Sequence, residues 1–165
     1  KSSRRVSPRT WPGVHGVAAV AHGRRGGGEL TLARILIVED NDANMKLAVL
    51  MLEGKGYEVL QATDGETGVR LAREESPDLI LMDVHLRGMD GLAATRLLKG
   101  DPLTRNIRIV ALTALAMSGD RERIEAAGCD HYLSKPFHYQ QLLTVVEDWL
   151  SPTRPLRSPA HGTSR

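Results

Sequence analysis

Four short apolar runs in this sequence each end on a residue able to do chemistry. ILIV at 35–38 is followed by Glu39-Asp40, LILM at 79–82 by Asp83, the run 107–112 (apolar but for Arg108) by Thr113, and YLS at 132–134 by Lys135. If the runs are parallel strands, three carboxylates, a hydroxyl and an ammonium gather at one edge. Two carboxylates about 4 Å apart repel by about 4 kcal/mol at an effective dielectric near 20, so three of them call for a cation. Oxygen ligands without Cys or a His side chain suit Mg²⁺, which keeps several waters and tolerates few carboxylates. Taken singly, each residue has a plainer role: Asp83 as a turn residue after a strand, Glu39-Asp40 as a solvated acidic turn, Lys135 as a surface charge. Their joint placement on successive strand ends selects the chemical reading.

The elements that must position these residues follow from periodicity. Between 34 and 150 the chain alternates strand and helix. Strands are predicted at 35–38, 58–62, 79–82, 107–112 and 132–134. The runs 35–38 and 79–82 are continuously apolar, as in a parallel sheet covered on both faces. Helices are predicted at 42–55, 64–75, 91–99, 119–127 and 139–150. In the first, Met45, Ala48, Val49 and Leu52 make one stripe; in the last, Tyr139, Leu142, Leu143, Val146, Trp149 and Leu150 do so. Asp64 and Asp90 are placed to cap the helices that follow them. Gly54, Gly56, Gly100 and Gly128 close others, and Pro77 stops the second. Five such units imply one open α/β sheet with helices on both faces, because every parallel pair needs a crossover. Ligands of such sheets bind beyond the carboxyl ends of the strands, where the reactive residues collect.

Composition bounds the rest. A chain of 165 residues with 41% hydrophobic content is one soluble domain with a proper core. One cysteine, Cys129, excludes an intramolecular disulfide and a Cys-based metal site, and favours a reducing compartment. The formal charge of +2 hides a split: residues 34–150 carry 13 Lys/Arg against 19 Asp/Glu, a net of −6, while the ends carry 9 basic residues and one acidic. The folded part is acidic, which argues against a nucleic-acid-binding core despite the sequence pI of 8.9. Residues 1–33, basic and Gly-rich, are expected to be disordered, as is the Pro/Arg-rich tail 151–165. Ser3-Arg4-Arg5 has the order of a twin-arginine signal, but the apolar part after it is short and broken by His15 and His22, which argues against export. The leader is expected to be an over-extended gene start, with translation beginning near Leu30 or Leu32.

ILIVEDN at 35–41, LILMDVHLRGMDG at 79–91, ALTA at 111–114 and YLSKPF at 132–137 resemble, in that order, the receiver domain of two-component response regulators, the CheY-like family, over about residues 34–150. The run from Thr113 to Pro136 and NDANMKL at 41–47 are further similar to single-domain regulators of the DivK type. The resemblance implies a flavodoxin-like sheet of order 2-1-3-4-5. It implies phosphoryl transfer from a histidine kinase or histidine phosphotransfer protein to Asp83. Mg²⁺ would be held by Asp40, Asp83 and the backbone carbonyl of His85, with Glu39 acting through bound water. Lys135 would pair with Asp83 and then with a phosphoryl oxygen, while the Thr113 hydroxyl and the Ala114 N–H bind the others. Lys135-Pro136 is expected to be cis. Thr113, drawn inward by the added charge, would let Tyr132 turn into the space beside strand four, changing the face built by 119–127, 132–134 and 139–150.

Three positions modify this picture. Arg87 stands where the family often has proline, implying a less stiff loop. His85 and Leu115 occupy the positions that tune phosphoryl hydrolysis. Leu115 cannot hydrogen-bond an attacking water, so slow self-dephosphorylation is expected. His85 serves equally well as a solvated loop residue, since any residue offers a backbone carbonyl.

Beyond Leu150 no helix-turn-helix, zinc-finger or catalytic motif follows, so output is expected through protein contact in the cytoplasm, with no direct nucleic-acid or membrane partner and no turnover of a separate substrate. A receiver detached from a hybrid histidine kinase is the alternative. An aspartyl-phosphate phosphatase wants a second Asp where His85 stands, and a flavin phosphate is ill suited to an acidic crevice.

Overall fold

The structure, a computed structural model, describes residues 32–114 and 119–151. The expected disordered ends and the position of Leu115 lie outside these residues, apart from the boundary noted below.

The described chain alternates β1 (Arg34–Val38), α1 (Asp42–Glu53), β2 (Glu58–Ala62), α2 (Gly65–Glu75), β3 (Leu79–Asp83), α3 (Gly91–Gly100), β4 (Arg108–Thr113), α4 (Asp120–Ala127), β5 (His131–Ser134) and α5 (Tyr139–Leu150). All strand pairs are parallel and the order is β2-β1-β3-β4-β5, as the resemblance implies.

Side-chain alternation along the strands divides the core. Ile35, Ile37, Leu79, Leu81, Val110 and Leu112 point to one face and pack with Met45 and Leu52 of α1 and Leu142, Leu143 and Val146 of α5. Leu36, Val38, Ile80, Met82 and Ile109 point to the other, against Val69 and Ala72 of α2 and Ala94 and Leu98 of α3. Ala111 joins a smaller cluster with Leu92, Ile124 and Ala127. β3 is buried along its whole length, which is why its sequence is apolar on both faces until Asp83.

Caps fix where helices begin. Asn41, Asp64 and Asp90 each accept the backbone N–H three residues on, at 3.0, 2.7 and 2.8 Å. The two N–H bonds to Asp64 and Asp90, like the helix starts they set, lie where the sequence puts them.

One boundary differs. Ala33, expected in the disordered leader, is wholly buried, and its carbonyl accepts the Glu58 amide at 3.0 Å. A single apolar residue before a basic one carries no periodicity, so only the sheet reveals it. In α1, Met45 and Leu52 are buried, Ala48 and Val49 half-buried, while Leu47 and Leu50 are 54% and 72% exposed. The helix has more apolar residues than one stripe can bury.

Candidate functional site

The strand ends meet as the topology requires. Asp83 closes β3 opposite Leu112 of β4 and is buried, 4% exposed. Its Oδ1 accepts the His85 amide at 2.9 Å and its Oδ2 faces Lys135 Nζ at 3.3 Å. Behind it the chain turns back sharply: Gly88 has φ +75, and a Cβ on Gly91 would lie 1.9 Å from the Asp83 carbonyl oxygen. Only glycine allows the start of α3 to approach the strand end so closely.

Glu39, one residue beyond β1, is 3% exposed. Its Oε1 accepts the Asn41 amide at 3.1 Å, and its Oε2 accepts from Lys135 Nζ at 2.8 Å. Burial raises the pKa of Glu39, outweighing the lowering by the Lys135 hydrogen bond. For Lys135, burial opposes the charged form, but the hydrogen bond to Glu39 and the charge of Asp83 outweigh it and the pKa is raised. Lys135 is therefore an ammonium at neutral pH, and it serves two carboxylates rather than the Asp83 carboxylate alone. Its own amide donates to the Thr113 carbonyl at 2.7 Å, which ties β5 to the end of β4. The Lys135-Pro136 peptide is cis.

Asp40, half-buried beside Glu39, has a different neighbour: its Oδ2 accepts the Arg87 amide at 3.2 Å and lies 3.7 Å from Arg87 Nε. Sequence reasoning missed this contact. The residues are 47 apart, and the one signal available was the charge standing where proline is common.

Glu39, Asp40 and Asp83 each offer an oxygen, and these oxygens lie within 4.8 Å of one another. Such a set of hard donors, with no Cys or His side chain in it, fits a divalent cation with incomplete protein ligation. Thr113, 2% exposed, ends β4, and Ala114 follows it exposed to solvent. Thr113 lines a cleft of about 270 Å³ with His85, Leu92, Asp120, Arg123 and Ile124. Tyr132 lies on β5 opposite Ala111, half-buried against the Leu92–Ile124 cluster, with its ring 6.0 Å from that of His131. All the expected residues thus converge on one end of the sheet or border it. No described helix is long and apolar enough to cross a membrane.

This arrangement can be set beside known proteins. Residues 35–147 match the family model of the response regulator receiver domain. The chain is 44% identical over 116 residues to the polar-differentiation response regulator DivK of Brucella anthropi, covering 70% of this chain and 94% of that protein. Among solved structures it is similar to the receiver domain of a sensor histidine kinase from Pseudomonas aeruginosa, crystallised with magnesium in its active-site cleft. There the identity is 41% and the TM-score 0.68, with 72% of this chain and 97% of that one covered. It is also similar to the receiver domain of a Saccharomyces cerevisiae response regulator, co-crystallised with a histidine phosphotransfer protein. That match has 26% identity and a TM-score of 0.66, over 72% and 94% of the two chains.

Proposed function

Since the chain belongs to the response regulator receiver domain family, we propose that it accepts a phosphoryl group on Asp83 from a phosphohistidine of a histidine kinase or phosphotransfer protein, and signals by protein contact. The observation that carries this is the buried pair of carboxylates, Glu39 and Asp83, sharing Lys135 Nζ at 2.8 and 3.3 Å beside Asp40. An Asp83 oxygen attacks phosphorus in line. The new P–O bond forms as the P–N bond breaks, and the donor imidazole leaves with the electron pair. Mg²⁺, held by Asp40, Asp83 and the His85 carbonyl with Glu39 through water, would supply charge neutralisation at the transferring group. A magnesium-containing cleft in the Pseudomonas receiver supports that choice of ion.

Lys135 shifts from the carboxylates to a phosphoryl oxygen, and the Thr113 hydroxyl and Ala114 N–H take the others. The cleft beside Thr113 gives this movement room, and Tyr132 borders the same apolar cluster. The face of α4, β5 and α5 then meets the downstream partner. The chain acts on its own acyl phosphate and turns over no separate substrate. A cytoplasmic setting belongs to the same reading.

Incubating the chain with acetyl phosphate and Mg²⁺ tests it. Intact mass should show one added phosphoryl group, absent with EDTA and absent in Asp83→Asn. Equal labelling of that variant would overturn the assignment. The likeness to a sensor kinase's receiver favours a second reading, a module of a larger kinase. Upstream coding sequence in the same frame separates the two.

A further inference from the structure

The three carboxylates are not equally guarded. Lys135 touches Glu39 and Asp83, whose side chains are 3% and 6% exposed, and no contact joins it to Asp40. Asp40 is the most open of the three, its side chain 21% exposed, so a hydrated cation meets the cluster from its side. At that side stands Arg87, 94% exposed, with Nε 3.7 Å from Asp40 Oδ2 and its amide 3.2 Å from the same oxygen. A proline at 87, the common residue of the family, has no N–H and no charge, and could make neither contact. The departure at 87 therefore adds two interactions, and both fall on one oxygen of Asp40, a member of the cation cluster.

We propose that Arg87 is a built-in competitor of the divalent ion: its guanidinium holds Asp40 in the ion-free protein and must be displaced or tolerated as a neighbouring positive charge when Mg²⁺ enters. It is a positioning residue, acting on the phosphoryl reaction through Asp40 alone. The amide contact, which any residue but proline can make, joins the loop after β3 to the loop after β1, so removing the side chain leaves that link in place. The competition is electrostatic and solvent-exposed, so its size is that of a surface ion pair and it fades with salt. The receiver thus needs more Mg²⁺ for half-saturation than one with an uncharged residue at this place.

This inference rests on the metal reading above, and its test separates the two. Calorimetric Mg²⁺ titration of the full chain compares the parent with Arg87→Ala and Arg87→Lys at low and high NaCl. The alanine variant should bind Mg²⁺ about threefold more tightly at low salt, the scale of an exposed pair. The lysine variant should stay near the parent, and the gap should close at about 1 M salt, where the screening length falls to about 3 Å. The Mg²⁺ concentration giving half-maximal acetyl-phosphate labelling should move by the same factor. Alanine binding equal to the parent's, or weaker, would overturn the proposal while leaving the metal site standing. A parent that takes up no Mg²⁺ would instead remove the metal reading, and the competitor with it.

Discussion

Both ends of the sheet gather acids around one cation, and they do so in opposite ways. At the amino edge, Arg34 holds Glu75 and Glu58 at 3.0 and 3.1 Å, acids whose side chains are 42% and 47% exposed. Asp78 there accepts the Arg34 amide at 2.8 Å. The two glutamates that flank the guanidinium are exposed, so water screens them. At the carboxyl edge, Lys135 holds Glu39 and Asp83 at 2.8 and 3.3 Å. These two are buried, and with Asp40 they bring oxygens within 4.8 Å of one another. The residue types are nearly the same. What marks the carboxyl edge is that its acids crowd one another with two of the three buried, so that water relieves their repulsion less, which suits the cluster to the cation and phosphoryl group proposed for it.

The contrast can be broken in several places. The largest effect is expected for Thr113→Ala, which should still be labelled by acetyl phosphate but lose the accompanying change in the α4 and β5 amide resonances. A switch from 1:99 to 99:1 needs about 5.5 kcal/mol of differential contact, and the hydroxyl is part of it. Parental resonance shifts in that variant would separate the two events from Thr113. Next, Asp83→Asn should stabilise the chain in EDTA by about 1–2 kcal/mol, because one repelling charge leaves the buried pair. Urea melts showing a loss instead would mean that Lys135 fully compensates both acids.

Asp64 is the control within the carboxyl edge, an acid that has a purely local task. Its pKa lies below the ordinary 3.8, chiefly through the Thr67 amide it accepts. Asp64→Ala should cost about 1 kcal/mol at neutral pH as a lost cap. With the folded value below the unfolded one, that stabilisation is present above pH 3.8 and fades as pH falls through the lowered value, so the two melting curves should converge in acid. Smallest of all, Glu58→Gln at the amino edge should change stability by less than about 0.5 kcal/mol, with no dependence on Mg²⁺. A clear magnesium effect there would erase the distinction between the edges.

The fold was legible because the most buried strands are apolar runs that stop at a polar residue, as LILM stops at Asp83. Helix starts were legible through Asp64 and Asp90, whose capping is local chemistry. The strand order needed the family resemblance, since periodicity shows which elements exist and not which lie side by side. Least legible were contacts between charges on separate loops. Nothing near Arg87 points to Asp40, and nothing near Lys135 says that its shorter contact is to Glu39. Such pairings depend on how two loops leave the sheet, which hydrophobic pattern does not encode. The exposed Leu47 and Leu50 escaped for a related reason: apolarity counts residues, but only packing decides which of them find a partner.

The hairpin-tight return after Asp83 leaves no slack between the proposed acceptor and α3, because Gly91 admits no side chain against the Asp83 carbonyl. Asp83 and the helix are consequently one mechanical part. A reporter dye intended to sense events at Asp83 belongs on the solvent side of α3, not in a more pliant loop, and redesign of this receiver has to treat that hydrogen-sized gap as fixed.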